Sequence, residues 1–188
     1  MSRPIFKRQH IHEAAMKLFV EKGIEGTTTR EIAQAAKAGE GTMFRHYKSK
    51  EDLAWHLYHE NLTSFMAKVE EGVAKAGTTK LKIRSMIADC FDLYETNPVL
   101  CSFLLLTEHS AAKRMGDDYK TPTSLLVDVI EEGRRKGEIR PMDPQLAAAL
   151  VFGAAIRVPL FKYYKRVNRD LREMVDEVTD SVWKMIEK

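Results

Sequence analysis

Apolar residues recur along this chain at the spacing of helices. Ile11, Ala14, Ala15, Leu18 and Phe19 fall at i, i+3, i+4, i+7 and i+8, which predicts one amphipathic helix. Gly23, just after Lys22, predicts its C-terminal cap. Thr28-Thr29-Arg30-Glu31 offers a capping box, Thr28 as N-cap with Glu31 three residues on, and predicts a short helix through Ile32, Ala33 and Ala36. Ala38-Gly39-Glu40-Gly41 breaks it, and a third short helix is expected from Thr42 to about Tyr47. Ser49-Lys50-Glu51-Asp52 opens a long fourth helix carrying Leu53, Leu57, Leu62, Phe65, Met66 and Val69 as far as Lys75.

The body continues in the same style. Helices are expected at about 80–96, stopped by Asn97-Pro98, then at about 99–112 and 120–136, the last closed by Gly137. Asp143-Pro144 supplies an N-cap followed by proline at the first helical position of an eighth helix, and a ninth covers about Asp170 to the end. No alternating run bounded by hairpin turns occurs. The expected fold is all-α, about nine helices, with a three-helix unit at 1–50 followed by a larger helical body at 51–188.

Composition narrows the function classes. No uninterrupted apolar run approaches the roughly 20 residues of a bilayer-spanning helix, because Arg157 and Pro159 break the stretch Val151 to Leu160. No signal-peptide core follows Met1, and Cys90 and Cys101 are too few for a disulfide scaffold, so a cytoplasmic chain is expected. The formal net charge of +3 hides an asymmetry: residues 1–50 carry +5 and residues 51–188 carry −2. A basic head on a near-neutral body suggests a polyanionic partner.

Catalytic motifs are absent. No nucleophile elbow, phosphate-binding loop, dinucleotide fingerprint or zinc-protease helix occurs, and His109 beside Glu108 diverges on a helix, so no enzyme and no cofactor are expected. His56 and His59 share a helical face with Glu60 alongside, but this pattern is more often a surface pair than a metal site, and His10-x-His12 has the wrong spacing for one face. No metal is expected.

The residues around the second and third helices carry the function. Two short helices joined by a tight turn form the helix-turn-helix plan, whose second helix enters the major groove. Thr42 and Arg45 can reach out, Phe44 and Tyr47 can pack or meet the sugar-phosphate backbone, and Lys48 and Lys50 sit where a phosphate could dock. The sequence here resembles the tetracycline-repressor (TetR) family. The resemblance rests on Ala14-Ala15-x-x-Leu18-Phe19-x-x-Lys22-Gly23, on Thr28-Thr29-x-x-Ile32-Ala33, and on Gly41-Thr42-x-Phe44-x-His46-Tyr47-x-Ser49-Lys50-Glu51-x-Leu53. It implies a DNA-contacting set of Thr28, Thr29, Lys37, Gly39, Gly41, Thr42, Met43, Phe44, Arg45, His46, Tyr47, Lys48 and Lys50.

Two positions depart from the family's usual Gly-Val-Ser turn. Lys37 replaces the glycine suited to a left-handed conformation, and Gly39 replaces the capping serine. Phe44 stands where the family often has Tyr.

The resemblance further implies a repressor that binds a palindromic operator as a homodimer through its last two helices and is released by a small effector. Ala147, Ala148, Ala149, Gly153, Ala154 and Ala155 would allow close helix approach, and Leu171, Met174, Val175, Val178, Val182, Trp183 and Ile186 cover more than one stripe. The expected effector lining is Phe65, Met66, Phe91, Tyr94, Phe103, Leu104, Leu126, Ile130, Phe152 and Arg157, with Arg157 pairing an anionic ligand group or, more simply, Glu95 or Glu108. An apolar, anionic effector such as a fatty acyl compound would suit that set. The competing expectation is a helical ligand-binding or adaptor protein without sequence-specific DNA binding.

Overall fold

The structure is a computed structural model, and it describes residues 4–39, 41, 45–112, 114 and 119–188. Among them are eight α-helices: α1 Pro4–Lys22, α2 Thr29–Ala35, α3 Lys50–Lys75, α4 Thr79–Thr96, α5 Pro98–Ala112, α6 Pro122–Arg135, α7 Pro144–Tyr163 and α8 Val175–Ile186. A 3-10 turn, Leu171–Met174, leads into α8. The third short helix of the sequence reading falls mainly on 42–44, outside the described residues. The all-α expectation holds among the described residues, where extended pairing is limited to one bridge between Ile139 and Glu187.

The predicted caps form. Thr28 Oγ1 accepts the Glu31 N–H while Glu31 accepts the Thr28 N–H, so two orphan donors at the start of α2 are satisfied reciprocally. Asp143 caps α7 through the Leu146 N–H, with Pro144 in its first turn, and Thr78 and Thr121 cap α4 and α6, two caps the sequence pattern did not single out. Asn97 ends α4 and its side chain then caps α5 through the Leu100 N–H.

The chain divides into two compact units. One comprises residues 1–62 and 102–116, the other 63–101 and 117–188, so the division falls inside α3 and α5. In the first unit the stripe Ile11, Ala15 and Phe19 is buried with Ile32, Ala33, Leu53 and Leu57. Phe103 stacks on Phe19 at 6.2 Å between centroids. In the second unit α4 packs against α6 and α8, and α7 against α6 and α8. Its core holds Ile83, Ile87, Phe91, Ile130, Leu171 and Ile186. Gly133 is required where α6 meets α4: a Cβ there would lie 2.7 Å from the Thr79 side chain.

One expectation is corrected. The apolar run does not end at Arg157 and Pro159, because α7 continues through Pro159 to Tyr163. The helix is therefore long and apolar enough, by length and composition, to cross a bilayer, and only 28% of its most apolar window is buried in the single chain.

Candidate nucleic-acid interface

The head is assembled from α1, α2 and the start of α3. Thr27, fully buried, donates its hydroxyl to the carbonyls of Gly23 at 2.8 Å and Leu18 at 3.3 Å, folding the α1–α2 loop back on α1. Lys22 Nζ reaches Glu31 Oε1 at 2.7 Å across the surface. That ion pair and the two Thr28 donors hold the Glu31 carboxyl down at about 2. Thr28 is thus occupied by its cap, its hydroxyl also donating to Glu31 at 2.8 Å, while Thr29 is half-buried.

The turn after α2 has the left-handed residue the sequence suggested, although it is a lysine. Lys37 takes φ +50, and the N–H of Ala38 closes on the Ala33 carbonyl at 2.9 Å, the six-to-one bond of a helix C-cap. Lys37 and Gly39 are exposed. Gly41 is exposed too, and a Cβ there would meet nothing within 4 Å. Arg45, His46 and Lys48 are exposed beyond it, and Arg45 Nε lies 3.4 Å from the Gly41 carbonyl. Thr42, Met43 and Phe44 lie outside the described residues.

Two expected phosphate contacts are turned inward. Lys50 Nζ donates to the carbonyls of Glu25 and Thr27, both at 2.9 Å, so its ammonium satisfies the α1–α2 loop. Tyr47 is 5% exposed, and its hydroxyl lies 2.6 Å from His12 Nε2 and 3.3 Å from Arg8 Nε. The reason is shared: each sits at a junction with α1 or its loop, where unpaired polar atoms need a partner. Sequence reasoning missed His12 and Arg8. Their i, i+4 spacing on one face of α1 was a signal, but nothing in the sequence ties them to a tyrosine 35 and 39 residues away.

The expected effector lining is distributed over both units. Met66, Phe91, Tyr94, Leu126 and Ile130 are buried in the second unit, with Phe65 and Phe152 half-buried there. Phe103 and Leu104 are buried in the first unit. Arg157 does not pair with Glu95. That carboxylate accepts from Lys162 and from the Leu171 N–H, fixing the end of α7 to the 3-10 turn. Arg157 instead stands exposed on the outer face of α7, on a groove shared with Met174, Glu177 and Val178. Cys90 and Cys101 are free thiols, and the hydrogen bond that Cys101 donates to Cys90, together with burial, pushes the Cys101 thiol up, away from reactivity. No cluster of three metal-ligating side chains occurs among the described residues.

With this geometry in view, the class is a helix-turn-helix DNA-binding protein with a helical body. Residues 11–56 match the family of bacterial regulatory proteins called tetR, and residues 58–188 match the tetracyclin repressor-like C-terminal domain. The chain belongs to the TetR family and is a DNA-binding transcription regulator; its relatives are named as regulators, not as enzymes. It is 28% identical over 152 residues to the fatty acid metabolism regulator protein of Bacillus subtilis, covering 78% of each chain. It is 24% identical over 149 residues to the transcriptional repressor KstR2 of Mycolicibacterium smegmatis, covering 74% of this chain and 71% of that one. The fold is similar to that of the fatty acid degradation regulator FadR from Bacillus halodurans, with a TM-score of 0.77 at 22% identity over 94% of this chain and 97% of that one. It is also similar to FadR from Bacillus subtilis solved in complex with stearoyl-CoA, with a TM-score of 0.73 at 21% identity over 93% of this chain and 97% of that one.

Proposed function

We propose that the chain is a homodimeric repressor that binds a palindromic operator and leaves it when a fatty acyl thioester, or a similarly apolar anionic compound, enters the body. The observation that carries the dimer is the uncovered apolar face of α7 and α8. Leu146 is 54% exposed and Leu150 38%. Beside them runs a groove of about 380 Å³ lined by Ala154, Val158, Met174, Val178 and Met185. Soluble monomers rarely leave such a contiguous patch open, and a second copy presenting the same face closes it with two-fold symmetry. A two-fold pair also carries two heads, which a palindrome requires.

The effector class is supported by the Bacillus subtilis fatty acid metabolism regulator, whose match extends well beyond the head. The related FadR structure holds stearoyl-CoA, and the apolar set around Met66, Phe91, Leu126 and Ile130 has the character an acyl chain needs. Release follows if the ligand prefers the state whose head spacing misfits the operator, by whatever differential affinity it has for the two states. The DNA contacts in this reading are Thr29, Lys37, Gly39, Gly41, Arg45, His46 and Lys48, together with Thr42, Met43 and Phe44.

Footprinting of the intergenic DNA beside its own gene tests this. The expected result is a protected palindrome that stearoyl-CoA releases and that free coenzyme A leaves in place. Protection that no acyl thioester relieves would overturn the effector class. A folded protein that protects no sequence, there or in a genomic selection, would overturn the repressor.

A further inference from the structure

Tyr47 closes the segment expected to read DNA, and its surroundings are built from another helix. His12 Nε2 lies 2.6 Å from the Tyr47 hydroxyl. Arg8 Nε, one turn earlier on α1, lies 3.3 Å from the same oxygen and 3.4 Å from His12 Nε2. The ring itself is enclosed, with His12, His46 and His56 tilted around it at 6.0, 6.3 and 5.5 Å between centroids. A phenol oxygen can donate once and accept. With neutral His12 carrying its proton on Nδ1, the phenol donates to Nε2 and its lone pair faces the Arg8 guanidinium.

We propose that Arg8 and His12 are positioning residues for DNA recognition: by bracketing the Tyr47 hydroxyl they anchor the recognition segment to α1. A phenylalanine at 47 would fill the same space, so packing alone does not call for the hydroxyl. The bracket adds direction, because a 2.6 Å bond fixes where the chain leaves the reading segment before α3 begins at Lys50.

The bracket has a protonation state. Burial and the adjacent Arg8 cation hold His12 below its ordinary value, with His46 and His56 adding to the push and the Glu60 carboxylate opposing it. Neutral His12 accepts from Tyr47. Protonated His12 turns the bond round, its Nε2–H donating to the phenol oxygen, and it faces Arg8 as a like charge. The contact between His12 and Tyr47 is therefore kept in either protonation state.

This inference rests on the DNA-reading role of the head, and two readouts keep the two apart. The first is affinity for the duplex that the wild-type protein selects from a random library. Tyr47→Phe and His12→Ala are expected to weaken it about three- to tenfold, the fold-change equivalent to one or two modest hydrogen bonds. His12→Gln keeps an acceptor that cannot be charged, so it should bind like the wild type at pH 7.5. The second readout needs no DNA: amide hydrogen exchange across residues 45–48 should quicken in Tyr47→Phe while exchange in α6 stays unchanged. Wild-type exchange in 45–48 for Tyr47→Phe overturns the proposal whatever DNA does. So does a His12→Ala protein that binds the selected duplex like the wild type. If Tyr47→Phe fails to fold, amide exchange across residues 45–48 in His12→Ala decides alone: it should quicken, and wild-type exchange overturns the proposal.

Discussion

The ammonium of Lys50 lies 2.9 Å from the carbonyl oxygen of Thr27, at the point where the start of α3 meets the loop between α1 and α2. A second carbonyl, that of Glu25, is equally close, and the side chain is only 20% exposed. The position that the sequence pattern offers as a phosphate ligand is therefore an internal cap for a loop that has no helix of its own.

Lys50→Met consequently acts on stability more than on charge. Two backbone acceptors lose a charged donor, and the expected cost is on the order of 1–2 kcal/mol, seen as a lower midpoint in urea unfolding. A phosphate ligand would instead change the logarithmic salt slope of DNA binding by about 0.9 on removal. The slope for Lys50→Met should stay within half of that. A full phosphate's change with unaltered stability would return Lys50 to the DNA contacts.

Lys37 carries the opposite trade. Its φ of +50 is the conformation in which a Cβ crowds the following carbonyl, a strain of about 1–2 kcal/mol that glycine does not have. Lys37→Gly should raise the unfolding free energy by about 0.5–1 kcal/mol once the greater freedom of glycine in the unfolded chain is subtracted. Lys37→Val should lower stability, since a β-branched residue tolerates this region least. The ranking Gly above Lys above Val, measured by urea unfolding at one pH, is the expected outcome. A Val variant as stable as the wild type would mean the turn does not hold this conformation.

How much of this could be read from sequence follows from the range of each interaction. The caps at Thr28 and Asp143 and the left-handed position at Lys37 are decided within a few residues, and each was legible. The inner stripe of α8 and of the turn before it was legible too, because Leu171, Val175, Val182 and Ile186 keep a helical period. What periodicity could not supply was the pairing of remote groups. Lys162, rather than Arg157, takes Glu95, because the end of α7 and not its middle lies against the end of α4. Phe103 has the same apolar character as Phe91, yet it stacks on Phe19 in the other unit, a fact of tertiary geometry alone. Pro159 reads as a break, but a helix already several turns long and packed along one side carries it.

Glu108 gives a pH prediction with a definite sign. It is half-buried on α5, and burial is the cause that raises its carboxyl above the ordinary range. The folded protein therefore holds this proton more tightly than the unfolded chain does. The cost to stability is absent below the ordinary carboxylate pKa, appears as pH rises through it, and is complete above the folded value. Glu108→Gln removes the charge and keeps the shape. Its stability should exceed the wild type at pH 7 and match it near pH 3.5, measured as the difference between two unfolding curves at each pH. A gain that is the same at both pH values would point to packing and away from the buried charge.

Val178 is the position at which the proposed dimer can be broken without touching the core. It sits half-buried on the outer stripe of α8 with Met174 and Met185, one residue before Thr179, which is fully buried on the inner stripe. A carboxylate at 178 points into the groove shared with Val158 and Ala154, so Val178→Glu would bury a charge at the two-fold contact of the proposed dimer and leave the monomer's own interior intact. Sedimentation should show wild-type dimer and variant monomer, both equally helical by circular dichroism. DNA binding should fall by 100-fold or more, since a monomer loses the effective concentration that a joined second head provides, commonly worth 10²–10⁴. A Val178→Glu protein that stays dimeric would place the contact elsewhere. If wild-type protein instead floats with lipid vesicles as a monomer, the apolar face of α7 answers to a membrane, and the paired heads of the repressor would need another origin.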